Sequence, residues 1–145
     1  FGNGNRYQMS DDLGTDAMTV QADFTVIVAD ATFRGVSGRL PAPGSTGIEF
    51  VYDDALGEWQ FYDGSTTVAT IAEAWPGGAV TMKLVIRTSS FTCYANDVLK
   101  LTYTAANPLA GNTRAGIVLG NFSASFPRQT CDNFLASTAR RFFLN

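Results

Sequence analysis

The chain has 145 residues, 46% of them hydrophobic and 16% charged, with a net charge of −3. That composition fits one domain with a sizeable core and argues against disorder. The charge gives no general attraction to nucleic acid or to an anionic membrane. There is no histidine, which removes the commonest general base and the commonest transition-metal ligand together.

No apolar run approaches the roughly 20 residues of a membrane helix, and no signal peptide is recognisable. The first residue is Phe1 rather than Met, so a processed chain or a segment of a longer one is expected. Eleven Phe, five Tyr and fourteen Gly, with Val and Thr throughout, lean towards an all-β fold with many turns. The charge is uneven. Residues 1–73 hold 11 acids and 3 bases (−8), and residues 74–145 hold 2 acids and 7 bases (+5). If these segregate in space, copies could stack acid to base; otherwise they are scattered over a solvated surface.

In chain order, "AMTVQADFTVIVAD" (17–30) alternates at strand period. "RGVSGRLPAPGST" (34–46) is dense in Gly, Pro and Ser and reads as a loop with at most a short edge segment. "GIEFVYD" (47–53) sets Ile48, Phe50 and Tyr52 against Glu49, Val51 and Asp53. "DALG" turns the chain into "EWQFYDG" (58–64), where Trp59 and Phe61 alternate, and "TTVATIAEA" (66–74) follows an Asp-Gly turn. Pro76, Gly77 and Gly78 break the chain before "AVTMKLVIRT" (79–88), the cleanest alternation of all. "SFTCYA" (90–95) and "VLKLTYT" (98–104) flank Asn96-Asp97, a two-residue turn signal. "AGIVLGNF" (115–122) reads as a strand buried on both sides and "QTCDNFLAS" (129–137) as the last strand. About ten short strands and no long helix predict a single antiparallel β-sandwich of jelly-roll topology over 1–137, with a tail at 138–145.

The candidate chemistry is sparse. Cys93 has no histidine to activate it and shares a face with Phe91 and Ala95, so core packing is expected and catalysis is not. Cys93 and Cys131 are a disulfide candidate if their Cα atoms fall within about 7 Å; two buried thiols are the favoured alternative. The acids Glu49, Asp53, Asp54 and Glu58 straddle a turn and do not have the Glu-x-Asp-x-x-Glu spacing of sandwich-fold glycanases. "SDDLGTD" gathers Asp11, Asp12 and Asp16 around a glycine, as Ca²⁺ ligands are gathered, without the EF-hand spacing; an ordinary solvated turn is the alternative, and no other cofactor is expected. Sugars stack on exposed aromatic rings. Among the aromatics, Trp59, Trp75, Tyr94 and Tyr103 are ligand-contact candidates, and the two tyrosines are expected to face away from the apolar rows of their strands. Phe142, Phe143 and Leu144 in the tail are partner-contact candidates, since exposed they would invite association.

The order of motifs resembles the concanavalin A-like/laminin G-like sandwich domains found in bacteriophage tail and other virion proteins and in some secreted bacterial proteins. The resemblance runs over about 6–137. It is carried by "RYQMSDDLGTDAMTVQADFTV", a ligand-side strand like "TGIEFVYD", the "WQFYDG" strand and turn, "AVTMKLVIR", the hairpin "FTCYANDVL", "AGNTRAGIVLG" and the closing "CDNF". Asp97 stands where such domains usually have Gly, and an Asn-Asp pair still tolerates the positive φ of the turn. The resemblance implies a non-enzymatic virion structural or adhesion module, in the tail or decorating the head, at a virion or extracellular location. Its partners would be other virion subunits or copies of itself, with surface glycans as ligands, and neither nucleic acid nor membrane. The alternative it implies is a secreted bacterial carbohydrate-binding module or a glycan-active enzyme domain.

Overall fold

A computed structural model describes residues 11–26, 32–42, 45–64, 66–121 and 129–138. Two antiparallel sheets face each other, and no described residue is helical. The strands in chain order are β1 (Asp11–Asp12), β2 (Met18–Val26), β3 (Thr32–Leu40), β4 (Ile48–Asp53), β5 (Glu58–Asp63), β6 (Thr67–Ala72), β7 (Ala79–Ile86), β8 (Ser90–Ala95), β9 (Val98–Thr104), β10 (Arg114–Asn121) and β11 (Gln129–Thr138). One sheet runs β1-β10-β3-β4-β5-β6 and the other β11-β2-β7-β8-β9. The chain passes repeatedly between the sheets, as expected of a jelly roll.

Alternation builds the core. Met18, Val20, Ala22 and Phe24 of β2 pair across the sheet with Ile86, Leu84, Met82 and Val80 of β7, and all eight are fully buried. Facing them are Ile48, Phe50, Tyr52, Trp59 and Phe61 of the six-stranded sheet. The rings pack in two groups. Phe50 stacks on Trp59 at 5.4 Å, Trp59 on Trp75 at 5.5 Å, and Phe61 meets Phe91 at 5.5 Å. Burial of each such side chain contributes roughly 1.5–3 kcal/mol.

The Asn96-Asp97 turn forms as the sequence predicts, with φ of 49° and 60°. Asn96 also clamps the neighbouring strand: its N–H donates to the Thr81 carbonyl and its Oδ1 accepts from the Thr81 N–H, both at 2.9 Å.

Residues 34–40 correct the loop reading. They form most of β3, which lies inside the six-stranded sheet between β10 and β4. Glycine is needed there by space. A Cβ on Gly35 would lie 2.1 Å from the Phe50 carbonyl oxygen and within 2.8 Å of Val51. Arg39, one residue before the end of the strand, takes a φ of 51° and is fully buried. Its guanidinium donates to the carbonyls of Asp16 (2.9 Å), Pro108 (2.8 Å), Arg87 (3.1 Å) and Thr88 (3.3 Å), and it lies over the Phe91 ring. One side chain therefore ties three separate loops at one end of the sandwich.

At the opposite end Arg34, also buried, pairs with Asp54 and lies over the Trp75 and Tyr52 rings at 4.5 and 5.6 Å. Along the open side, Lys100 pairs with Glu73 at 2.6 Å and covers the Trp59 ring. The cysteines are free thiols. Cys93 on β8 and Cys131 on β11 are three strand spacings apart in one sheet, about 14 Å at 4.8 Å per strand and too far for a disulfide.

Candidate functional site

The alternation that sends one row of each strand inward leaves two outer faces. On the six-stranded sheet the outer face is built by register. Ser37 of β3 lies opposite Glu49 of β4, which lies opposite Tyr62 of β5. The next rows are Gly35, Val51 and Gln60, and then Phe33, Asp53 and Glu58. β10 adds Gly116, Val118 and Gly120 beside these rows. Gly120 leaves the space that the Phe33 ring fills, since a Cβ there would stand 2.2 Å from the ring.

This face is unusual in what it buries. Phe33, Val51, Tyr62 and Val118 form a second hydrophobic cluster outside the sandwich core. Among them lie Ser37, Glu49 and Gln60, exposed by only 0, 2 and 4%. Along β5 the polar groups form a directed chain: Tyr62 Oη donates to Gln60 Oε1 at 2.5 Å, and Gln60 Nε2 donates to Glu58 Oε1 at 2.7 Å. Burial raises the Tyr62 pKa, and the nearby carboxylates of Asp53, Glu49 and Glu58 push the same way while a Thr67 hydrogen bond opposes them. Asp53 Oδ1 accepts from the N–H groups of Ala55 and Leu56 and caps the β4–β5 turn. Asp53, Glu58 and Thr70 are the more open border of the face, towards β6.

The five-stranded sheet presents Leu135, Gln21, Lys83, Tyr94 and Leu99 in one row. Lys83 Nζ lies 5.0 Å from the centre of the Tyr94 ring and pairs with Asp97.

The four aromatic candidates therefore part company. Tyr94 is on an outer face, half-buried, as the alternation of β8 predicts. Tyr103 is corrected: it packs inward on Phe61 at 5.3 Å and Phe91 at 6.2 Å, because Leu101 and Tyr103 share a side of β9 opposite Cys93 and Phe91. Trp59 is fully buried in the core. Trp75 is half-buried against it, with its indole Nε1–H directed to the Gly78 carbonyl at 3.4 Å and its backbone N–H to Tyr52 Oη at 2.8 Å.

The aspartate loop is tied into the fold. Asp12 accepts from Thr113 Oγ1 (2.6 Å) and the Gly14 N–H, and Asp16 accepts from the Gly111 N–H at 3.0 Å. Among the described residues no three metal-ligating side chains converge. Phe142, Phe143 and Leu144 lie outside the described residues. Ser37 and Gln60 are the site residues that the sequence did not single out, and Glu58 stood out only among acids that lack glycanase spacing. The signal was Phe33, Gly35 and Ser37 at alternate positions, in a stretch that composition disguised as a loop.

The titrating groups give the fold a defined pH range. Hydrogen bonds from Thr81 and Asn133 hold the Asp23 pKa down, and those from Thr113 and Gly14 do the same for Asp12. Carboxylates lowered in the fold contribute stability that is complete above their ordinary value of 3.8 and is lost as pH falls below it. Burial pushes the Cys131 thiol up to about 11 and raises Cys93, Tyr52 and Tyr62 as well. That contribution is complete below the ordinary thiol value of 9.0 and is lost as pH rises through the folded values. With no histidine to titrate between them, the melting temperature is expected to be flat from about pH 5 to 8, falling below about 4 and above about 9. Calorimetry across that range checks it.

No known protein family matches the chain by sequence. No curated protein matches it either. Solved structures do. The carbohydrate-binding module CBM66 from Bacillus subtilis superposes with a TM-score of 0.66 at 12% identity, covering 89% of this chain and 77% of that one. The Caenorhabditis elegans galectin LEC-6 gives 0.62 at 12% identity and covers 94% of each chain. The β-glucanase of Bacillus licheniformis gives 0.62 at 14% identity, covering 86% and 67%. The fold is thus the galectin-like, concanavalin A-like antiparallel β-sandwich, a jelly roll.

Proposed function

We propose that the chain is a non-catalytic glycan-binding module whose binding site is the open border of the outer face of the six-stranded sheet, at Asp53, Glu58 and Thr70. The observation that carries the reading is the Glu58 carboxylate at the more open border of this face; Ser37, Glu49 and Gln60 are 0, 2 and 4% exposed and are closed to contact with a ligand. The chain from Tyr62 through Gln60 holds the Glu58 carboxylate in one orientation at the more open border, beside Asp53 and Thr70. Carboxylates held in this way accept hydrogen bonds from sugar hydroxyls. Asp53 and Glu58 also lie opposite each other, but Asp53 caps a turn and Glu58 takes the Gln60 amide, so both serve as acceptors in place. Two of the structural neighbours are named for carbohydrate binding or as a galectin, which supports binding over hydrolysis.

Among settings, a secreted carbohydrate-binding module fits these neighbours better than a virion protein. Placement on a bacteriophage, with other virion subunits as partners, is an expectation of the sequence resemblance that none of the three neighbours described above carries. One observation favours a second face: of the four aromatic candidates, Tyr94 alone lies on an outer sheet face. A glycan array probed with the wild type, Glu58→Gln and Tyr94→Ala separates the two. Binding is expected for the wild type and Tyr94→Ala and is expected to fall at least about tenfold in Glu58→Gln, the loss of one charge-assisted hydrogen bond. Absence of binding to any glycan would end the reading. Loss only in Tyr94→Ala would move the site to the five-stranded sheet.

A further inference from the structure

The β4–β5 turn carries Asp53 at one end and Glu58 at the other, and apolar burial does not hold it. Ala55 and Leu56 at its tip are exposed. Bonds within the turn set its shape but not its place: the Ala55 and Leu56 N–H groups donate to Asp53 Oδ1, and the Gly57 N–H donates to the Asp53 carbonyl at 2.8 Å. The Glu73 N–H ties the turn to the segment after β6 by donating to the Gly57 carbonyl at 3.2 Å. Arg34 ties it to β3 by pairing with Asp54. The Arg34 side chain is fully buried and that of Asp54 is 15% exposed. The guanidinium lies over the Trp75 ring at 4.5 Å and the Tyr52 ring at 5.6 Å, and Tyr52 Oη accepts from the Trp75 N–H. One cation therefore joins β3, the turn and the segment after β6. Stability alone does not call for it, because an apolar pair of like volume in place of a buried ion pair is often as stable or more so. What a guanidinium adds is direction, through a planar fork of donors.

We propose that Arg34 is a positioning residue: through Asp54 it places the β4–β5 turn so that the Glu58 carboxylate meets the Gln60 amide and stays fixed at the open border. Glu58 Oε1 accepts from Gln60 Nε2 at 2.7 Å, at the end of the chain of hydrogen bonds that starts at Tyr62. Released from Arg34, the turn keeps its local shape but shifts against that chain, and the carboxylate loses its single orientation. The consequence for glycan affinity rests on the proposed function; the consequence for the Gln60 amide does not.

The test uses the full chain with Asp54→Asn, which keeps an acceptor for the guanidinium and loses the charge, and with Arg34→Met combined with Asp54→Asn, which removes both charges of the pair. Three quantities are followed: the side-chain amide resonance of Gln60, the melting temperature, and the affinity for a glycan bound by the wild type. In the double variant the melting temperature is expected to stay within about 3 °C of wild type. The Gln60 amide is expected to move, and affinity to fall roughly threefold to tenfold. Asp54→Asn is expected to act in the same direction by less, and it decides the matter should the double variant not fold. In a Glu58→Gln background neither change is expected to lower affinity further, since Arg34 acts through Glu58. A Gln60 amide that stays at its wild-type position in a folded variant overturns the proposal. So does undiminished affinity where Glu58→Gln weakens binding, and so does a loss that adds in full to that of Glu58→Gln. A wild type that binds no glycan ends the proposed function, and the Gln60 amide alone then decides the positioning role.

Discussion

Replacing Arg39 by alanine is expected to cost about 4 kcal/mol or more and to leave the chain largely unfolded at physiological temperature. The guanidinium is fully buried and serves four carbonyls drawn from the segments around Asp16, Arg87–Thr88 and Pro108. Alanine leaves those oxygens without their donor and opens a cavity over Phe91. The measurement is chemical denaturation of wild type, Arg39→Ala and Arg39→Lys. Lysine is expected to recover only a minor part, because one ammonium cannot span the fork of donors that reaches separate loops. Arg39→Ala within about 1 kcal/mol of wild type would show that the loops hold without it.

Gly35→Ala is the second large effect, expected at about 3 kcal/mol or more from a single methyl group. The clash is with backbone, the Phe50 carbonyl at 2.1 Å and the Val51 Cα at 2.8 Å, so relief requires β3 and β4 to move apart. Gly120→Ala is the instructive contrast. There the added Cβ meets the Phe33 ring at 2.2 Å, and a side chain gives way more readily than a ladder of hydrogen bonds. Denaturation midpoints should therefore rank Gly35→Ala well below Gly120→Ala. The reverse order would mean that the outer face, and not the β3–β4 pairing, is the tighter constraint.

Both residues lie in the segment that composition misrepresents. "RGVSGRL" carries two glycines and a serine among seven residues, and such a stretch ordinarily connects elements. Here the glycines are small because backbones and side chains approach closely, and the arginines are apolar-facing because each finds buried partners. Those are tertiary facts, and no local pattern states them. Where a strand buries one face and wets the other, as in β2, β7 and β8, period-two alternation suffices, and Cys93 lies inside and Tyr94 outside as expected. The Asn96-Asp97 turn is similarly local. Tyr103 shows the limit of alternation. Leu99, Leu101 and Tyr103 share parity, and the inward side of β9 is fixed by what lies opposite, Cys93 and Phe91, across a register shift. Aspartates that look like a metal loop are hydrogen-bond acceptors for a segment about a hundred positions away, which spacing alone does not reveal. The acids 49, 53 and 58 were visible as a group, but their shared face with Gln60 and Tyr62 depends on a turn that brings β5 back beside β4.

Glycan binding at the open border of the six-stranded sheet's outer face is read out by backbone amide chemical shifts of the full chain, titrated with a glycan selected on the array. The expected shifts fall on Asp53, Glu58, Gln60 and Thr70, with Lys83, Tyr94 and Thr92 unmoved. Shifts confined to Lys83, Tyr94 and Thr92 would contradict the claim and place recognition on the other sheet.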